Sequence, residues 1–193
     1  ANKCIEGVPG FSLVIADRAQ LLSIGAAART VCLDLVAQWK GLEDSGQFRF
    51  TPPTQVLLAF RQALRELDEE GGATGRAIRY AANHKALVRG MRGMNFREYV
   101  PTELQSHIIT SFLFPEDPNF DFKKFYQRLS DQGMVIYPGK LTEVDCFRIG
   151  NIGRIFESDI ELLLTTIQST LLEMDVEMFD RDSDAPTETS HTV

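Results

Sequence analysis

At 193 residues, with 44% apolar and 24% charged residues, the chain is long enough for one domain, or two small ones, with a substantial core. A formal net charge of −7 argues against nucleic acid as a partner. No apolar run approaches the roughly 18 residues a membrane helix needs, and the N-terminus lacks the basic-then-apolar pattern of a secretory signal. Three cysteines (Cys4, Cys32, Cys146) and three histidines (His84, His107, His191) are scattered along the chain. Their spacing gives no support to a disulfide framework or a metal site and favours a reducing, cytoplasmic compartment.

In chain order, the first element is "ANKCIEGVPGF", a turn bounded by Gly7, Pro9 and Gly10, and "FSLVIAD" (Phe11 to Asp17) then alternates as a strand does. Asp17 and Gln20 have capping-box spacing ahead of a helix through "RAQLLSIG". A second helix in "CLDLVAQWKGLEDSG" carries Val36, Trp39 and Leu42 at helical spacing and stops at Gly46. In "QFRFTPPT" two prolines break the pattern, and Thr54 is placed to cap the next helix. "TQVLLAFRQALRELDEEGG" is the clearest helix, with Val56, Leu57, Phe60, Ala63, Leu64 and Leu67 on one face and Gly71-Gly72 at its end. The next helix runs through "ATGRAIRYAANHKALVRGMRGM", with Ile78, Ala81, Leu87, Val88 and Met91 expected inward.

Strands are expected at "FREYV" and "SHIITSFLF", then a helix at "DFKKFYQRLSDQG" between Asp121 and Gly133, then strands at "MVIYP" and "DCFRIG". The last helix is "SDIELLLTTIQSTLLEM", with Ser158 and Glu161 as its capping box. The acidic, Ser/Thr-rich residues 177–193 read as a disordered tail. Element composition changes near Gly71-Gly72, which places a boundary there: 1–72 on one side, 73–176 on the other. The second part has the makings of a small open sheet covered by helices, an α/β arrangement.

Three positions invite chemistry. Lys3 sits in a Gly/Pro-bounded turn, where burial would depress its pKa and turn the amine into a nucleophile; the plainer reading is a solvated surface charge. Thr51 offers a hydroxyl just before a helix N-terminus, a setting that attracts phosphate, although a rigid capping connector is the plainer reading of the loop. Arg148 lies inside the apolar strand "DCFRIG", ahead of Gly150, Asn151 and Gly153. Its fork calls for an anion, either a ligand's carboxylate or phosphonate or a structural acidic side chain.

Other signals are weaker. "YPGKLT" lacks the glycine a P-loop needs, because Met134 stands in its place, and "GFSLV" lacks the second glycine of a nucleophile elbow. Six basic residues between Arg76 and Arg97 are compatible with an anionic surface, and more simply with a solvated helix face.

"ANKCIEGVPGF", "QWKGLEDSGQFRFTPPT", "VIYPGKLT" and "FRIGNIGR", in this order and spacing, closely resemble the 2-aminoethylphosphonate–pyruvate aminotransferases. These are fold-type I enzymes dependent on pyridoxal 5'-phosphate (PLP). The resemblance runs from Ala1 to about residue 175. It implies the end of a PLP-binding large domain over 1–72 and a small C-terminal α/β domain over 73–176. Lys3 would hold PLP as a Schiff base and act as the catalytic acid and base. Thr51 would reach the cofactor phosphate of the neighbouring subunit of a homodimer, and Arg148 would grip the substrate's acidic group. The implied reaction moves the amine of 2-aminoethylphosphonate to pyruvate, giving phosphonoacetaldehyde and alanine. The residues that stack on the ring and pair with its pyridine nitrogen would precede Lys3. The 193-residue chain is therefore expected to be roughly the C-terminal half of the enzyme and inactive alone. Related alanine–glyoxylate and serine–pyruvate aminotransferases share the layout, and a non-catalytic half-length interaction module is the alternative of a different class.

Overall fold

The computed structural model describes residues 2–25, 27–139 and 144–177, so the acidic tail from residue 178 and the end of "YPGKLT" lie outside the described residues. The chain divides into two compact units, Ala1–Glu69 and Glu70–Val193.

The first unit is helical. A short 3-10 turn, Lys3–Ile5, is followed by α1 (Arg18–Ile24), α2 (Leu35–Ser45) and α3 (Thr54–Glu69). The start signals work as side-chain chemistry predicts. Asp17 accepts from the Gln20 amide at 2.9 Å, and Asp34 accepts from the Ala37 amide at 2.9 Å. Gly46, with φ +68°, ends α2 in the left-handed conformation that a residue without Cβ enters freely. The N-terminal turn packs on α3: a Cβ on Gly10 would lie 2.8 Å from a Val56 methyl carbon, and the Phe11 and Phe60 rings meet edge to face at 5.1 Å.

Two expectations fail in this unit. Phe11 to Asp17 forms no strand, and Leu13, Val14 and Ile15 are exposed. A strand needs a neighbour for its amides and carbonyls, and no described residue of this unit supplies one. Thr54 does not cap α3 either; it is the first helical residue, and its hydroxyl donates to the Pro52 carbonyl at 3.3 Å.

The second unit contains α4 (Gly72–Gly93), β1 (Ile109–Leu113), α5 (Phe122–Asp131), β2 (Tyr137–Pro138), β3 (Cys146–Gly150) and α6 (Glu157–Glu173). The sheet is antiparallel, in the order β1-β3-β2. Its register pairs Phe112 with Phe147 and Ser111 with Arg148, while Tyr137 also stands opposite Arg148. Because side chains alternate, Phe112, Phe147 and Ile149 face the helices, and Ser111, Arg148 and Tyr137 share the other face.

The core lies between the first face and α4, α5 and α6, where Leu87, Met91, Phe125, Leu129, Ile160, Ile167 and Leu171 are buried. Phe147 is its hub, with its ring against those of Phe96, Phe112, Phe114, Phe122 and Phe125. At the crossing of α4 and α6, a Cβ on Gly90 would collide with the Leu164 side chain, so glycine permits the close approach.

Three details differ from the sequence pattern. Ile78 is exposed; the buried stripe of α4 is Arg76, Tyr80, Asn83, Leu87 and Met91, because ion pairing draws Arg76 inward and fixes the helix rotation. "FREYV" forms only a single bridge, Glu98 with Phe112, and "MVIYP" pairs only over Tyr137 and Pro138. The start of α6 is held by Asp159, whose carboxylate accepts from the Phe156 amide at 2.8 Å, rather than by Ser158 and Glu161. The helix begins earlier than the Ser–Glu pair suggests.

Phe147→Ala removes the ring on which the core's aromatic contacts converge. It should cost about 3–5 kcal/mol, read as a lowered urea midpoint at unchanged m-value.

Candidate functional site

The residues singled out in the sequence fall in both units. Lys3 opens the N-terminal 3-10 turn in a left-handed conformation, φ +64°, and its carbonyl accepts from the Glu6 amide at 2.8 Å. Few non-glycine residues adopt such a φ. The turn projects the Lys3 side chain outward, and the described residues do not bury it. The expected setting of a buried strand beside it is absent, because Phe11 to Asp17 has no strand to pair with.

Thr51 is also exposed, at the end of the loop Gly46–Pro52 that enters α3. Arg49 anchors this loop. Its Nη1 donates to the Val31 carbonyl at 3.0 Å and lies 3.9 Å from the Asp34 carboxylate that caps α2, and its guanidinium sits 5.2 Å over the Phe50 ring. The loop is therefore tied to the start of α2 on one side and stiffened by Pro52-Pro53 on the other.

Arg148 is half-buried in the middle of β3. Its Nε and an Nη donate to the Pro138 carbonyl at 3.3 and 3.2 Å, and no described carboxylate pairs with it. Of the two partners weighed for this arginine, the structural acid is not found among the described residues. A guanidinium has five N–H donors, so most remain available to a planar or tetrahedral oxyanion on that face.

What fixes Arg148 in place was not evident from the sequence. Asn151, fully buried just after β3, donates from its amide to the Ile108 carbonyl at 2.9 Å and from Nδ2 to the His107 carbonyl at 3.2 Å. This staples the exit of β3 to the entry of β1. The loop after it is held by α4. Arg79 Nη1 donates to the Gly153 and Ile155 carbonyls at 2.8 and 2.9 Å, and Asn83 Nδ2 donates to the Ile155 carbonyl at 2.8 Å. Arg79 is held in turn by Glu70 at 2.6 Å, and the same carboxylate takes Arg76 at 2.8 Å. The signal available in the sequence is Arg76 and Arg79 beside Tyr80, just after the acids of "LDEEGG"; it reads as an ordinary charged helix end.

This geometry sets the electrostatics. Hydrogen bonds from Arg79, then from Arg76, with the two positive charges, hold the Glu70 carboxyl below its usual 4.5 despite burial. Burial pushes Glu98 upward, but Arg92, with 2.7 and 3.0 Å bonds to it, more than offsets that and lowers it. Burial, then the nearby charge of His107, lowers His84 from 6.5.

Each unit's side chains are chemically compatible with PLP, the first through the Lys3 amine and the Thr51 hydroxyl, the second through the Arg148 N–H groups that Pro138 leaves free. Among the described residues no group of three or more His, Cys, Asp and Glu gathers as a metal site would.

No family model matches the chain. It is 52% identical over 172 residues to the 2-aminoethylphosphonate–pyruvate transaminase of Salmonella schwarzengrund, a match covering 89% of this chain and 47% of the relative. The chain thus spans about half the length of the curated relatives it matches. Among solved structures it is similar to pyridoxamine–pyruvate aminotransferase from Mesorhizobium loti, with a TM-score of 0.64 and 21% identity over 75% of this chain and 38% of that one. It is also similar to PLP-bound phosphoserine aminotransferase from Trichomonas vaginalis, with a TM-score of 0.55 and 17% identity over 67% and 37%. The fold is that of the fold-type I aminotransferases.

All three shifted groups make the second unit acid-sensitive. His84 is neutral by preference in the folded state, so its stabilisation is present above 6.5 and falls as the pH drops below it. Glu70 and Glu98 contribute above 4.5, and their contribution is lost as the pH falls through their depressed folded values. Urea midpoints should decline gently below pH 6.5 and steeply below 4.5. Glu70→Gln should remove much of the steep phase and, by leaving two buried guanidiniums underpaired, cost about 3–5 kcal/mol near neutrality.

Proposed function

We propose that this chain, a homologue of the 2-aminoethylphosphonate–pyruvate transaminases, forms the part of such an enzyme that carries the catalytic lysine and the substrate-anchoring arginine. The complete enzyme moves the amino group of 2-aminoethylphosphonate to pyruvate, yielding phosphonoacetaldehyde and alanine. It works as a cytoplasmic homodimer with PLP. The observation that carries this reading is the 52% identity to the Salmonella enzyme over 172 residues. The PLP-bound neighbour supports the cofactor. Arg148, without an acidic partner among the described residues, supports the anchoring role.

The side chains set the division of labour. Arg148 binds the phosphonate of the amino donor in one half-reaction and the carboxylate of pyruvate in the other. One fork serves both, because either group presents oxygens to the N–H donors that Pro138 leaves free. Lys3 Nζ is the acid and base: it removes the proton from the substrate carbon bearing the amine and later returns one. PLP, when bound, supplies the electron sink that makes this carbon acidic. The Thr51 hydroxyl donates to the cofactor phosphate across the dimer, from a loop that Arg49 and the two prolines hold stiff.

A hybrid in which the N-terminal half of the Salmonella relative precedes this chain tests the proposal. It should form alanine and phosphonoacetaldehyde in equal amounts. Lys3→Ala should lower kcat by at least about a thousandfold and abolish borohydride labelling of the chain. Arg148→Ala should raise KM for both substrates by about 10–100-fold, with Arg148→Lys intermediate. A folded, PLP-binding hybrid that used glyoxylate but not pyruvate would point instead to the alanine–glyoxylate type. One that ran no transamination at all would leave the interaction module.

A further inference from the structure

The six basic residues between Arg76 and Arg97 do not form one solvated face. Arg76 and Arg79 turn inward to Glu70. Arg92 is committed to Glu98, and Arg97 reaches Glu116 at 3.3 Å across an exposed pair. Lys85 and Arg89, one turn apart on α4 and both exposed, have no carboxylate partner among the described residues.

These two side chains lie on the rim of a cleft of about 820 Å3 between the C-terminal half of α4 and the segment Asn95–Gln105. That volume is in the range that takes a small organic molecule. Val88 and Phe96 line it beneath the charged rim, and Thr102 and Gln105 add polar groups from the opposite wall. Lys85, Arg89, Arg92 and Arg97 face a single lining acid, Glu98, whose side chain is only 8% exposed and is filled by Arg92. The cleft is therefore locally cationic in a chain whose net charge is −7. His84 also lines it, and its Nε2 is buried without a hydrogen-bond partner. The imidazole stands 5.3 Å from the ring of His107.

We propose that this cleft binds a small organic phosphate or phosphonate, its oxyanion between Lys85 and Arg89 and its organic body over Val88 and Phe96. An exposed pair of cations with no carboxylate gains most from a dianion, because each N–H···O bond is then charge-assisted. His84 lines the same cleft beside Gln105 and so reports on its occupancy, and the two apolar side chains give the body a place that inorganic anions cannot use. Lys3 and Arg148 take no part, so the proposal stands apart from the transaminase reading.

Calorimetric titration of the 193-residue chain with phenyl phosphate, phenylphosphonate and inorganic phosphate tests it. Both phenyl compounds should bind one to one, several-fold more tightly than inorganic phosphate, and more weakly as salt is raised. The double variant Lys85→Ala/Arg89→Ala should weaken phenyl phosphate by about tenfold or more, whereas Lys123→Ala/Lys124→Ala on α5 should not. The His84 ring protons should shift in NMR spectra with the same saturation. Absence of binding, equal affinity for inorganic and phenyl phosphate, equal loss in both double variants, or unmoved His84 resonances during binding would each overturn the proposal.

Discussion

The second unit depends on one carboxylate. Glu70 stands between two guanidiniums, and the Arg76 and Arg79 side chains are only 4% and 11% exposed. Taking two cations out of water is unfavourable unless their donors are matched. One acid cannot match ten N–H groups, so Arg79 also uses the Gly153 and Ile155 carbonyls and lies 5.0 and 5.2 Å from the Tyr80 and Phe156 rings. The remedy for burial is thereby a structural tie. The chain just past β3 is fastened to the first turns of α4, and the fastening begins at the first residue of the unit.

That tie matters because of the strand that precedes the loop. Arg148 sits three residues before Asn151 and five before Gly153, on the face of β3 turned away from the core. Phe147 and Ile149 bury the strand from one side, the Asn151 amide pins its end to β1, and the Pro138 carbonyl steadies the guanidinium itself. Each neighbour of Arg148 is fixed by interactions that do not use its charge. A guanidinium preorganised in this way loses little entropy when it grips an oxyanion, and it is free of a competing acid among the described residues. Arg76 and Arg79 of α4 and Arg148 of β3 illustrate two settings for one side chain: the first two are paired with a carboxylate inside the fold, and the third has no carboxylate beside it among the described residues.

The helices were largely legible because their signals are local. Asp17, Asp34 and Asp121 each accept from the amide three residues on, and Gly46 stops α2 in a left-handed turn. The errors arose where a longer-range partner decides. Ile78 has the right hydrophobicity for a core face, but Glu70 claims Arg76 and turns that side of α4 inward. The candidate residues Lys3, Thr51 and Arg148 were legible only as residue types in a recognisable order. The polar side chains that tie down the chain after Arg148 (Glu70, Asn83, Asn151) were not, since a buried polar side chain shows its purpose only when its distant acceptor is known, as for Asn83 and Ile155 at a separation of 72.

The segment Phe11 to Asp17 separates pattern from partner more sharply still. Its alternation is a strand pattern, yet Leu13 and Ile15 are exposed and no ladder forms. A helix closes its hydrogen bonds within its own sequence, whereas a strand borrows them, so period-two apolar alternation specifies a face rather than a structure. In β1 and β3 the same alternation is realised because each finds the other in register, Phe112 opposite Phe147 over a common core.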